Sequence, residues 1–145
     1  VEIHTIGFTK KSAAEFFETL RRVGIERLID VRLNNTSQLA GFAKRDDLQY
    51  FLRAICSADY VHEPLLAPTE EILDAYKKKA IDWDQYARQY RDLLISREAE
   101  SKIDRHWFDV PAVLLCSEPT ADHCHRRLAA EYMAEHWGDA KIIHL

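Results

Sequence analysis

The sequence predicts an α/β fold: a three-layer, mostly parallel five-stranded sheet with helices on both faces and an extra helix pair before the fourth strand. Three observations predict it. Short apolar segments alternate with helix-patterned ones along the whole chain. Those apolar segments lack the polar alternation of a half-exposed sheet, as strands covered on both faces do. The composition, 47% hydrophobic and 30% charged with four glycines and four prolines, is that of a packed chain and not a disordered one. At 145 residues, residues 1–145 are expected to form a single domain.

Each element has a local reason. Val1–Ile6 is rich in β-branched residues and stops at Gly7, as a strand would. A chain starting directly on a strand suggests that an initiator Met or tag is missing from the numbering. Ser12 and Glu15 make a capping box. Ala13, Phe16, Phe17, Leu20 and Val23 then recur at helical spacing, and Gly24 suits the C-terminal stop. Arg27–Val31 is a second apolar strand, broken by the polar stretch Asn34–Gln38. Asp46 or Asp47 is expected to cap a helix carrying Leu48, Phe51, Leu52 and Ile55. Tyr60–His62 is a brief third strand, punctuated by Pro64 and Pro68.

Thr69 opens a helix with Ile72, Leu73 and Tyr76, and Asp82 opens a longer one with Tyr86, Tyr90, Leu93 and Leu94. These make up the extra pair, about Thr69–Ile103. Ala112–Cys116 is the most apolar strand and is expected at the sheet's centre. Asp122 is expected to cap the last helix, whose inner face is Leu128, Ala129, Tyr132 and Met133. Gly138 ends it, and Lys141–Leu145 closes the sheet.

Charge and cysteine usage narrow the function classes. A net charge of −4 gives no global field toward nucleic acid or anionic lipid. No apolar run reaches membrane-spanning length, and the N-terminus has no signal-peptide pattern, so no membrane partner is expected. Three irregularly spaced cysteines do not form a secreted disulfide framework. The expectation is reduced thiols in a cytoplasmic protein. The sequence leaves the oligomeric state open.

In a parallel sheet every strand's carboxyl end lies on one edge, where such folds bind ligands. Lys10, Arg32, Asn34, His62, Cys116, Glu118, His123, Cys124, His125, Arg126 and His144 all fall there. The densest stretch is Val113–Trp137. A helix N-terminus offers unpaired N–H groups and a positive dipole end. With Arg126 beside it, and with Arg32, His62, Asn34 and Lys10 nearby, the edge reads as a binding site for a small anionic ligand. The bland alternative has Asp122 capping the helix while Arg126 pairs with Glu118 or Glu63. Arg32, beside Asp30, pairs with that carboxylate or meets an anionic ligand.

Glu118 and His125 are the candidate general acid and base. Cys116 and Cys124 are candidate nucleophiles, the first explained equally well by core packing and the second placed at a helix N-terminus that would lower its pKa. No metal is expected, because Cys116, Cys124, His125 and His62 match no common zinc spacing. No cofactor is expected either, since neither Gly7 nor Gly24 belongs to a G-x-G-x-x-G run. His4 reads as a core-face histidine, Lys77–Lys79 as a solvated helix end, and Trp83, Tyr86 and Tyr90 as packing.

These residues suggest an enzyme, a hydrolase or transferase, acting on a phosphate-bearing ligand such as a nucleotide or nucleic-acid component. Two alternatives stand beside it: a cysteine-dependent, sulfurtransferase-like enzyme, and a non-enzymatic ligand-binding or sensing module.

The motifs HTIGFT, LIDVR, YVHEPLLAPT and LLCSEPTADHCHR together resemble the domain of unknown function 488 proteins, nearly end to end. The last block is the most specific. The resemblance implies a compact α/β domain found mainly in prokaryotes. It carries no catalytic assignment, because activity and cofactor are not established for the family. The chain departs from the family pattern in having Phe8 where many members have a histidine, LNNTSQ where many have a proline and an arginine soon after D-V-R, and LLAPT where many have a leucine-glycine-glycine run. The chain is more weakly similar to rhodanese-like sulfurtransferases, which share the D-V-R strand end and a strand leading to a catalytic cysteine, here matched by Cys116. The loop that follows has Pro119 and no glycine, which is poorly suited to a cradle of converging N–H groups.

Overall fold

A computed structural model describes residues 1–36, 41–118 and 121–145. The end of the polar stretch at Gln38, and Pro119 in the loop after the fourth strand, lie outside the described residues. The chain runs β1 (Glu2–Gly7), α1 (Ala13–Val23), β2 (Arg27–Asp30), α2 (Arg45–Phe51), β3 (Asp59–His62), α3 (Glu70–Lys77), α4 (Trp83–Arg97), α5 (Ala99–Lys102), β4 (Ala112–Cys116), α6 (His125–Trp137) and β5 (Lys141–His144).

The strands form a five-stranded sheet in the order β3-β2-β4-β1-β5, and every pairing is parallel. β4 is central, as its apolar sequence predicts, and all of its residues are buried. It pairs with β1 from Ile3 opposite Ala112 to Gly7 opposite Cys116, and with β2 from Arg27 opposite Ala112 to Asp30 opposite Leu115.

Alternate strand residues feed two cores. Ile6, Leu28, Val113 and Leu115 pack on Phe16, Phe17 and Leu20 of α1 and Leu48 of α2. Ile3, Ile29 and Leu114 face the other way, onto Tyr90 and Leu94 of α4 and Ala129, Ala130 and Met133 of α6. The helices after the neighbouring strands β2 and β4 thus leave for opposite faces. Their parting opens a crevice at the carboxyl ends of those two strands, the position where open α/β sheets hold ligands.

The predicted caps hold at three helices. Ser12 and Glu15 close a capping box on α1, Asp82 and Gln85 close one on α4, and Thr69 accepts from the Ile72 N–H of α3. Gly24 and Gly138 end α1 and α6 in the left-handed conformation that a side chain would strain.

Two expected caps are corrected. The N-cap of α2 is Lys44, with no side-chain bond; Asp46 and Asp47 lie inside the first turn, where their charge complements the helix dipole. The N-cap of α6 is Cys124, not Asp122. Cys124 is paired with Cys116 and holds an extended backbone, so the helix begins at His125. Sequence patterning also missed α5 and the short 3-10 turns at Gly41–Ala43, Pro64–Leu66 and Arg105–Phe108. Such short turns have too few residues to carry a periodic signal. Among the described residues, no helix is long and apolar enough to cross a membrane.

The central strand dictates where stability resides. Leu114→Ala, at a fully buried position of β4, is expected to cost about 2–5 kcal/mol. Ile95→Ala, at a half-exposed position of α4, should change stability by no more than about 0.5 kcal/mol. Urea denaturation with an unchanged m-value checks both.

Candidate functional site

Asp30 ends β2 fully buried, and its carboxylate organises the loop that follows. It accepts the Arg32 backbone N–H at 3.1 Å, and Arg32 Nε and Nη2 at 2.8 Å each. The Tyr60 hydroxyl donates to it at 2.6 Å and in turn accepts from Asn35 Nδ2 at 3.0 Å. Desolvation, and then the bond to Asp30, push the Tyr60 pKa far up, so the phenol remains a neutral donor. Arg32 is 3% exposed, and its guanidinium lies over the Phe8 ring at 5.3 Å. The Phe8 ring offers a face suited to a planar cation. The remaining terminal nitrogen, Arg32 Nη1, is buried with no hydrogen-bond partner among the described residues.

The second wall is the junction of β4 and α6. Arg126 is fully buried yet has no carboxylate within ion-pair distance among the described residues. Its Nη1 donates to the Glu118 carbonyl at 2.6 Å and to Cys116 Sγ at 3.3 Å, and its Nε donates to Thr5 Oγ1 at 3.3 Å. Neither pairing considered from sequence forms, because Arg126 takes the main-chain oxygen of Glu118 and leaves the carboxylate exposed. Burial pulls the Arg126 pKa down to about 10, which leaves it charged at neutral pH. Gly7 is required here, since a Cβ would stand 1.5 Å from the Glu118 carbonyl oxygen.

Cys116 and Cys124 are joined as a disulfide, with their Cα atoms 7.5 Å apart, and Cys56 is free. The expectation of three reduced thiols is corrected for this pair, which the strand end and the N-cap bring face to face. His125 Nε2 lies 2.7 Å from the Val31 carbonyl. A carbonyl only accepts, so Nε2 carries the proton and Nδ1 the lone pair. Desolvation holds the His125 pKa down at about 4; the Arg126 charge adds to the lowering and the Val31 bond opposes it.

Between these walls lies a cavity of about 930 Å³, in the range of small-molecule sites. Arg32, Asn34, Cys116, Glu118, Cys124 and His125 line it, so six of the nine residues expected from sequence converge. Arg126 stands behind the lining. His62 is turned aside, its Nε2 donating to the Arg32 carbonyl at 3.0 Å, where it fixes the loop. Lys10 is exposed and does not line the cavity.

The outer wall comes from the extra helices. Leu73 and Tyr76 of α3, Ile81, and Trp83 and Tyr86 of α4 give it an apolar, aromatic surface. His123 stacks on Trp83 at 4.9 Å. Tyr86 and Tyr90 are buried as expected of packing residues, and Trp83 packs against the core while also lining the cavity. Lys77 and Lys79 stand at the rim, a contribution that their charge alone did not reveal. Tyr60 and Asn35 were also missed; nothing in a short strand and a polar loop signals support for a neighbouring carboxylate.

The family model of a domain of unknown function, DUF488, matches residues 12–133. The chain therefore belongs to that family. No curated protein and no solved structure matches it.

The neutral His125 makes a measurable prediction for the disulfide-bonded protein. Its ring should show the Nε2–H tautomer by NMR near neutral pH and titrate near pH 4. The unfolded chain would bind this proton near pH 6.5, so the folded state loses stability as pH falls from about 6.5 to about 4. His125→Gln should flatten that part of the stability–pH curve.

Proposed function

We propose that this DUF488 member binds a phosphate-bearing ligand, a nucleotide or a nucleic-acid component, in the crevice between β2 and β4, and acts on it as a hydrolase or transferase. The observation that carries the reading is Arg32. Its guanidinium is fixed on one side by Asp30 and stacked on Phe8, the residue lines the cavity, and Nη1 has no hydrogen-bond partner among the described residues. A buried donor without a partner costs about 1–3 kcal/mol, and an anionic oxygen from a ligand removes that cost. Arg126 adds a buried charge with no ion pair among the described residues, and the α6 N-cap, Cys124, makes no side-chain cap bond. The aromatic wall suits a flat organic portion.

Asn34 would help orient the ligand, and Glu118, which lines the cavity, would exchange a proton with it. His62 supports the reading from behind, by holding the Arg32 carbonyl, and Lys10 adds only distant charge. The cysteine-dependent alternative has its own observation, the 3.3 Å contact of Arg126 Nη1 with Cys116 Sγ, which would stabilise a thiolate once the pair is reduced.

Isothermal titration against nucleoside monophosphates, short oligonucleotides and inorganic phosphate tests the binding. Arg32→Lys keeps a charge for Asp30 but loses the planar fork, and should weaken every phosphate-bearing ligand about tenfold to a hundredfold. Trp83→Ala should weaken the nucleotides several-fold and leave inorganic phosphate unchanged. Absence of saturable binding, or affinities indifferent to both changes, would overturn the proposal. Product analysis after long incubation separates an enzyme from a binding module. Iodoacetamide labelling of the reduced protein, read by intact mass, tests the thiol alternative.

A further inference from the structure

The cavity floor carries a chemistry that the anion reading does not use. Cys116 Sγ, Cys124 Sγ and a ring nitrogen of His125 all lie within 4.8 Å of one another. Each is placed by a different constraint: Cys116 by the end of β4, Cys124 by the N-cap of α6, and His125 by its bond to the Val31 carbonyl. Both cysteines are buried, and all three residues line the cavity. We propose that, with the cysteines reduced, these side chains hold one divalent ion of the zinc class, its fourth coordination position open to the cavity.

Three features support the site. The backbone sets the cysteines 7.5 Å apart at Cα, wider than the roughly 4.4–6.8 Å that disulfides span. Two thiolates on one zinc ion, at Zn–S of about 2.3 Å in tetrahedral geometry, stand about 3.8 Å apart and suit the wider spacing. Next, His125 donates Nε2–H to a backbone carbonyl and keeps the Nδ1 lone pair, the outer-shell arrangement that orients a ligating imidazole. Finally, Arg126 Nη1 donates to Cys116 Sγ at 3.3 Å. Two thiolates neutralise a divalent ion, so the buried guanidinium faces a centre without net charge while bonding to one of its sulfurs. Three protein ligands with one open position is the pattern of zinc sites that engage a water or substrate. Spacing in the sequence sets this group aside, because its ligands come from a strand end and a helix start and not from a C-x-x-C turn.

The chemistry balances. A phosphine reductant breaks the Cys116–Cys124 bond and leaves as its oxide, taking oxygen from water. The two sulfurs receive the two electrons given up by phosphorus and the two protons of that water. The metal ion then displaces both thiol protons to solvent.

The test uses the full chain, reduced with phosphine, freed of metal under anaerobic conditions and titrated with Co²⁺ alone. The expected result is one ion per chain, with sulfur-to-metal charge-transfer absorption and tetrahedral visible bands that Zn²⁺ abolishes. Zn²⁺ should also protect two of the three cysteines from alkylation. Cys124→Ser should remove the charge-transfer absorption or weaken binding more than a hundredfold, His125→Gln should weaken it at least tenfold, and Cys56→Ser should change nothing. Because Cys116 lies in the core, Cys124→Ser and His125→Gln, checked for folding by circular dichroism, decide the matter if Cys116→Ser does not fold.

A folded, reduced wild type without the Co²⁺ bands would overturn the site. So would bands that survive in folded Cys124→Ser, or equal alkylation with and without Zn²⁺. No phosphate or nucleotide is present in these assays, so their outcome is separate from that of the anion reading.

Discussion

Arg126 is a charged side chain fully buried at the carboxyl edge of the sheet, held by three neutral acceptors. Taking such a charge out of water costs several kcal/mol unless its surroundings are arranged around it. Much of the local structure can be read as that arrangement. Thr5 of β1, Cys116 of β4 and the Glu118 carbonyl in the following turn all point at one guanidinium. Thr5 is also within 2.6 Å of His144 Nδ1, so β5 joins the same network. Gly7 lacks a side chain where the Glu118 carbonyl must pass, and Cys124 keeps an extended backbone so that α6 begins late enough for Arg126 to turn inward.

Arg32 solves the opposite problem. Its charge is matched by Asp30, but one of its terminal nitrogens is not. Among the described residues, Arg126 makes no ion pair and Arg32 Nη1 has no acceptor, which is why we propose the β2–β4 crevice as a place for a negative group. The extra helices α3 and α4 close the crevice with aromatic rings and add two lysines at its rim. The fold therefore does more than support the site, because its topological parting creates the opening that those charges face.

The sheet was legible in sequence because strands such as AVLLC and RLID are short, continuous and apolar, and because Ser12, Thr69, Asp82 and Gly24 mark helix ends through backbone chemistry that acts locally. Gathering the site at one edge followed from strand direction alone. What was hidden depends on tertiary contact. The N-cap of α6 is Cys124, a residue paired with Cys116 on another element, and not Asp122. The support of Asp30 by Tyr60 and Asn35, the turning aside of His62, and the use of a carbonyl in place of the Glu118 carboxylate by Arg126 arise from how loops meet. No periodicity or cap encodes those contacts.

On the proposed function, the buried arginines make this crevice an anion site, with Arg32 Nη1 as the donor to the ligand. A crystal structure of the protein with a nucleoside monophosphate tests it most directly. A phosphate oxygen is expected within about 3.2 Å of Arg32 Nη1, with the organic portion against the Trp83 and Tyr76 wall. A structure in which the crevice stays free of the ligand at saturating concentration, or in which Arg32 Nη1 is satisfied by a protein carbonyl, would contradict it.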